Sequence, residues 1–311
     1  MNILVIGFGS IGRKHVRLLS EDDKNHIWLF RSHKGNVVNT GFPHIYSWEE
    51  CKKIHFDAAF ITNPTSLHIN TVLRVIKHIG CPIFIEKPLG DKVKHLHELL
   101  SLVKTHAIPT YVGYCLRFHP VIKICKTYME KHVFVSMRVT ASSYLPTWHP
   151  GSDWKKSYSS QKAMGGGVLL DLSHEFDYVM YLLGDIQKMQ GSFSRISDIT
   201  LDTEDVADVI CYTKKGRASV HIDFLSHRLE RSVVIDFKDM TVYGDLLHGI
   251  IEEWKEGVCT KKYTLPVNMD DVYREQLAYF LKNRNNPTMM NSISEAALLL
   301  KKILALKKKK I

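Results

Sequence analysis

The chain has 311 residues, 45% hydrophobic and 24% charged, enough for two domains that each bury a core. No apolar run approaches the ~18 residues of a membrane span and no leader precedes Met1, so a soluble, cytoplasmic protein without membrane contact is expected. The formal charge of +10 would admit nucleic acid, but Lys301, Lys302 and Lys307 to Lys310 concentrate it in a tail that reads as a solvated helix end, and no basic stripe interleaves with aromatics, so no nucleic-acid partner is expected. Cys51, Cys81, Cys115, Cys125, Cys211 and Cys259 show neither a CxxC pair nor metal spacing, which points to reduced thiols and no metal.

Residues 2–6 form an apolar, β-branched run that ends at Gly7-Phe8-Gly9-Ser10-Ile11-Gly12, and a helical pattern continues through Leu19. Strand, GxGxxG, helix is a dinucleotide fingerprint: two glycines allow a tight turn and close approach of a pyrophosphate, and the third lets helix and strand pack. After the second strand, over 27–30, the position facing an adenosine ribose carries Arg31-Ser32 where an NAD site usually has an acid. A guanidinium and a hydroxyl suit a 2′-phosphate, which predicts NADP, with NAD the alternative should Arg31 stack on adenine or face solvent.

The buried strand over 57–62 runs into Asn63-Pro64-Thr65-Ser66-Leu67-His68, with Thr65 or Ser66 expected to cap the next helix. His68 falls at the strand's carboxyl edge, where ligands of open parallel sheets bind, and reads either as a cofactor neighbour or as a plain first-turn residue. A further strand over 82–85 delivers Glu86-Lys87-Pro88-Leu89 to the same edge. A lysine beside a carboxylate and ahead of a rigid proline is placed to contact cofactor and a substrate hydroxyl, unless Lys87 only pairs with Glu86. Residues 108–114 read as the last strand of a parallel sheet, with the domain ending near Arg117.

A helix over 120–131 and a strand over 133–143 open the second half. Residues 144–164 form a long polar and aromatic loop in which Tyr144, Trp148, His149, Asp153 and Tyr158 offer ring faces and hydrogen-bonding groups suited to a sugar; the alternative is an Ω-loop packed on its own aromatics. Gly165-Gly166-Gly167 then opens a helix predicted over 168–183, with Leu172, Phe176, Val179 and Leu183 on one face and Asp171 and His174 neighbouring on another. Strands follow at about 186–194, 205–213, 217–225, 230–238 and 258–265, with a hairpin at Lys214-Lys215-Gly216, and helices over 270–284 and 292–308 close the chain.

Taken together, the fingerprint at 7–12, Asn-Pro-Thr-Ser-Leu-His at 63–68, Glu-Lys-Pro-Leu at 86–89, Leu-Arg-Phe-His-Pro at 116–120 and the triple glycine with Asp171, His174 and Asp177 resemble the glucose-fructose oxidoreductase / inositol dehydrogenase / rhizopine-catabolism (Gfo/Idh/MocA) family. The resemblance implies an α/β chain: an N-terminal Rossmann domain with a doubly wound parallel sheet, taken as 1–118, and a C-terminal α/β domain with a predominantly antiparallel sheet, taken as 119–311. It also implies hydride transfer between a nicotinamide cofactor and a sugar, nucleotide sugar or cyclitol. Lys87 would bond the substrate oxygen, His174 would be the general acid/base, Asp171 would orient one of them, and the protein would be a homodimer or homotetramer. The interval from Asp171 to His174 is three positions where the family pattern has four, while His174 keeps its spacing to Asp177. Arg117 and the aromatic loop would contact substrate. Two rival readings stand beside it: nicotinamide-assisted elimination with no net redox change, which the same residues would serve, and a non-catalytic cofactor-binding sensor with a degenerate site, against which Lys87 and His174 argue.

Overall fold

The structure is a computed structural model that describes residues 1–31, 40–148 and 154–308. By compactness the chain divides into one unit of Met1–Gly113 with Tyr273–Leu300 and a second of Tyr114–Val272 with Lys301–Ile311.

In the first unit, β1 (Asn2–Ile6) leads into α1 (Ser10–Leu19), followed by β2 (His26–Phe30), β3 (His44–Ile45), α2 (Trp48–Cys51), β4 (Ala58–Ile61), α3 (His68–His78), β5 (Ile83–Ile85), α4 (Leu96–Thr105) and β6 (Thr110–Val112). All strand pairs are parallel, in the order β3-β2-β1-β4-β5-β6. Every residue of β4, β5 and β6 is buried, and β4 and β5, inside the sheet, read as unbroken apolar runs because parallel strands are covered on both faces. The strand order reverses between β1 and β4, the point outside which doubly wound sheets hold their ligands. One expectation fails locally: neither Thr65 nor Ser66 caps α3, which is entered through a single 3₁₀ turn over Thr65–Leu67.

The end of the chain completes this unit. Phe280 is fully buried and meets the rings of Phe60 and Phe84, each at 5.5 Å, while the Asn291 carbonyl accepts from Val112 N–H at 2.7 Å as one more partner at the edge of β6.

The second unit contains α5 (Pro120–Lys131), β7 (Phe134–Ser142), α6 (Val168–Asp171), α7 (His174–Leu183), β8 (Lys188–Ser194), β9 (Val206–Thr213), β10 (Gly216–Asp223), β11 (Glu230–Phe237), β12 (Thr241–Asp245), β13 (Ile250–Lys255) and β14 (Val258–Thr264). Its eight strands run β14-β13-β12-β11-β7-β10-β9-β8, antiparallel throughout except for β7 with β10. Alternation makes one face apolar: Met137, Val139, Val209, Val220, Val233 and Ile235 are buried, whereas Arg138, Asp208 and Ser219 face outward. Two helices, α8 (Met269–Asn283) and α9 (Ile293–Lys308), end the described chain. No described helix is long and apolar enough to cross a membrane.

The basic tail is not merely solvated. Lys302 Nζ donates to the Gln187 carbonyl, and Lys307 Nζ meets Glu204 Oε1 at 2.7 Å. The predicted helix over 168–183 is also broken, because Leu172 leaves helical geometry at φ −91, ψ 31 and separates α6 from α7.

Candidate active site

At the carboxyl edge of the first unit, two of the three fingerprint glycines are dictated by packing. Gly7 has φ +106, and a Cβ on it would lie 2.4 Å from Asn63 N; a Cβ on Gly12 would lie 2.3 Å from Gly7 O. Thr62 Oγ1 donates to the Gly7 carbonyl at 2.6 Å and ties the exit of β4 to that of β1. Gly9 differs: a Cβ there would meet nothing within 4 Å among the described residues, so none of them explains the glycine, and the cradle it leaves faces the start of α1. That helix starts with no side-chain cap and no acid in its first turn, which leaves its N–H groups for an anion. The turn of Gly7, Phe8, Gly9, Ser10, Ile11 and Gly12 therefore offers the space and the free N–H groups that holding a dinucleotide pyrophosphate would require. Arg31 is half-buried at the end of β2, and Ser32 lies outside the described residues.

Asn63 Nδ2 donates to Thr71 Oγ1 at 2.8 Å, while its buried Oδ1 has no hydrogen-bond partner among the described residues. His68 is 1% exposed, and its ring nitrogens each stand 2.8 Å from a chain carbonyl, that of Asn63 and that of Pro88. Burial lowers the His68 pKa, against the two carbonyls. Both polar atoms of this side chain are thus engaged within the chain itself, a bridging role that the choice between cofactor neighbour and first-turn residue did not contain. Glu86 and half-buried Lys87 follow β5 directly, so the ends of the adjacent strands β1, β4 and β5 gather the fingerprint, Asn63 and Lys87 at one edge.

In the second unit, Gly165 and Gly167 hold φ +86 and +104, backbone that L-residues rarely adopt. A Cβ on Gly167 would lie 2.6 Å from Glu204 Oε1, so the glycine run packs tightly against a carboxylate of its own chain that Lys307 neutralises. Asp171 is buried and accepts from Ser159 Oγ at 2.5 Å. His174, 8% exposed, begins α7 with its ring edge-on to Tyr114 at 5.6 Å.

Beneath it, the first turn of α7 is anchored by ions. Arg117 donates from Nε and Nη2 to the two oxygens of Asp177 at 2.9 and 2.8 Å, with both side chains buried, so its fork is engaged by protein rather than free for substrate. Arg231 Nε meets fully buried Glu175 at 2.7 Å; burial works against the guanidinium charge, and Glu175 more than offsets it. His119 caps α5 by accepting from Val121 N–H, and burial, helped by Arg231, lowers its pKa to about 4. Sequence reasoning misses Glu204 and Arg231, which lie far along the chain from the groups they meet, and Ser159, which reaches Asp171 from within the loop before the glycine run.

Of the aromatic loop, Tyr144 stacks on His227 at 4.0 Å beside a cavity of about 560 Å³ that Trp154, Ile196 and Leu225 also line. Trp148 Nε1 donates to Ser143 Oγ at 2.9 Å, and its ring meets Phe224 edge-on. His149 and Asp153 lie outside the described residues, as does the side chain of Tyr158.

Residues 1–114 match the signature of an oxidoreductase family with an NAD-binding Rossmann fold, GFO_IDH_MocA, and residues 134–245 match the GFO/IDH/MocA C-terminal domain. The chain is 27% identical over 201 residues to the uncharacterized oxidoreductase YrbE of Bacillus subtilis (strain 168), covering 58% of this chain and 53% of that protein. It is 27% identical over 132 residues to the scyllo-inositol 2-dehydrogenase (NAD(+)) of the same strain, covering 41% and 35% respectively. The chain thus spans about half, or less, of the length of these curated relatives. Levoglucosan dehydrogenase in complex with NADH superposes at a TM-score of 0.84 with 17% identity over 99% of this chain and 97% of that one. GenD2 from gentamicin A biosynthesis, in complex with NAD, superposes at 0.79 with 17% identity over 99% and 93%. At such identities the likeness is one of fold.

Proposed function

Since the chain belongs to the GFO/IDH/MocA oxidoreductase family, we propose that it transfers hydride between a nicotinamide cofactor and the hydroxyl or keto carbon of a sugar, nucleotide sugar or cyclitol. The observation that carries this reading is Gly9, a glycine that no described residue packs against at the uncapped start of α1, on the same sheet edge as Lys87. The relatives named for acting on levoglucosan and scyllo-inositol support the substrate class.

When bound, the nicotinamide supplies the hydride acceptor or donor. His174 takes the hydroxyl proton and Lys87 donates a hydrogen bond to the reacting oxygen, easing charge that develops there. Asp171, itself held by Ser159, orients the acid/base. Asn63, Pro64, His68 and Glu86 line the cofactor edge, and Tyr144, Trp148, His149, Asp153, Tyr158 and Arg117 serve the substrate, Arg117 by ordering the start of α7 through Asp177. NADP is preferred to NAD on the strength of Arg31 at the end of β2, and the outward face of the eight-stranded sheet, with Trp254 at 37% exposure, supports a homodimer or homotetramer.

The test is a thermal-shift titration with NAD and NADP, followed by turnover with scyllo-inositol, glucose and UDP-glucose read by reduced-nicotinamide absorbance. Ligand that binds only the folded chain raises its stability by RT ln(1 + [L]/Kd). Absence of a shift with either nucleotide refutes the reading, and product formed without an absorbance change replaces it by elimination. A His174→Ala variant should lose about 10²–10⁴-fold in kcat while still binding the nucleotide.

A further inference from the structure

Glu86 is a carboxylate in the core of the first unit, 6% exposed at the exit of β5. Such a group is tolerated when its oxygens are hydrogen-bonded, and both are. Oε1 lies 2.5 Å from Nε2 of His15, and Oε2 accepts the backbone N–H of Lys87 at 3.2 Å. His15 is fully buried on α1, three residues past the last fingerprint glycine. Its ring is boxed by Phe84 at 5.1 Å, Tyr273 at 5.8 Å and Phe60 at 5.9 Å, and its Nδ1 has no hydrogen-bond partner among the described residues. Gly113 closes the box, since a Cβ there would stand 3.2 Å from both Glu86 Oε1 and the Phe84 ring. An apolar side chain would fill this space as well as an imidazole does. What the imidazole adds is the bond to Glu86.

We infer that His15 is a positioning residue that acts through Glu86 to fix the backbone of Lys87 against the helix carrying the phosphate-binding turn. The other side of Lys87 is held too, because His68 engages the carbonyl of Pro88, the next residue. Lys87 is therefore bracketed by its own N–H and by the carbonyl that follows it, and its stem is indexed to α1. The proposal rests on the reading that Lys87 bonds the substrate oxygen, and it extends that reading: a dinucleotide seated at the start of α1 and the lysine are set to one height by a buried imidazole–carboxylate pair.

Two variants of the full chain separate a positioning role from a packing one. His15→Leu fills the aromatic box without a donor, whereas His15→Gln carries an amide that reaches Glu86. Amide hydrogen exchange without nucleotide should show the Lys87 N–H exchanging about tenfold or more faster in His15→Leu and restored to within about threefold in His15→Gln, with Val139 in the second unit unchanged in both. An unchanged Lys87 amide in His15→Leu overturns the inference, whatever the protein turns out to catalyse. Should the lone carboxylate prevent folding, His15→Leu/Glu86→Gln removes the charge yet keeps an amide oxygen to accept the Lys87 N–H, and is read the same way.

Kinetics give a second reading. His15→Leu should lower kcat about tenfold with the nucleotide Kd within about threefold, and should cost nothing more in a Lys87→Ala background, because residues acting as one unit are non-additive. Additive losses overturn the inference. A wild type whose stability neither nucleotide raises would refute the functional reading alone and leave the exchange result to decide on the clamp.

Discussion

Replacing Asp177 by alanine tests whether the first turn of α7 is held by charge. In the native chain the two Asp177 oxygens accept from Arg117 Nε and Nη2 at 2.9 and 2.8 Å, and the side chains are 5% and 4% exposed. Taking away the carboxylate leaves a guanidinium in a site with almost no water, and breaking one side of a buried pair costs about 3–5 kcal/mol. At roughly 2–4 °C per kcal/mol for domains of this size, the thermal transition of the second unit should fall by on the order of 10 °C. Asp177→Ala/Arg117→Met removes both charges and should recover at least half of that loss, since apolar replacement of a buried pair is often close to neutral. Differential scanning calorimetry of wild type, single and double variants is the assay. A single variant within about 1 kcal/mol of wild type, or a double variant no better than the single, would show that the pair does not carry the turn.

The low pKa of His119 makes stability depend on acid. Its folded value of about 4 lies below the ordinary 6.5, so its contribution is complete above pH 6.5 and is lost as pH falls toward 4. The loss should reach about 2 kcal/mol at pH 5 in urea unfolding and should be absent from His119→Gln; a wild-type slope retained in that variant contradicts the assignment. Gly7→Ala places a Cβ 2.4 Å from Asn63 N at φ +106, so it should cost about 1–3 kcal/mol in the first unit and abolish the nucleotide thermal shift, leaving the second unit's transition in place. Lys307→Ala strips the ion partner from Glu204, whose side chain is 8% exposed behind Gly167, and should lower stability by about 1–3 kcal/mol by calorimetry; truncation at no cost would mean that the tail is solvated after all.

What sequence alone determined was whatever one element writes in its own period or turn chemistry. The unbroken apolar runs of β1, β4 and β5 announce strands buried on both faces, the glycines at 7, 9 and 12 announce the turn, and Glu86-Lys87 falls at a strand exit that residues 82–85 define by themselves. Strands β12 and β13 escaped because their polar residues look like loop; in the sheet, Glu252 and Glu253 on β13 find Lys262 and Lys261 across the ladder at 2.7 and 3.2 Å. Only the tertiary structure decided that Glu204 packs behind Gly167, that Arg117 is neutralised by Asp177, that His15 holds Glu86, and that Phe280 returns to a core begun at Phe60. Each of these joins residues separated by dozens of positions, and a buried charge carries no mark in the sequence of the opposite charge that will meet it. Periodicity reports which face of an element is buried; which partner lies there depends on how the chain comes back.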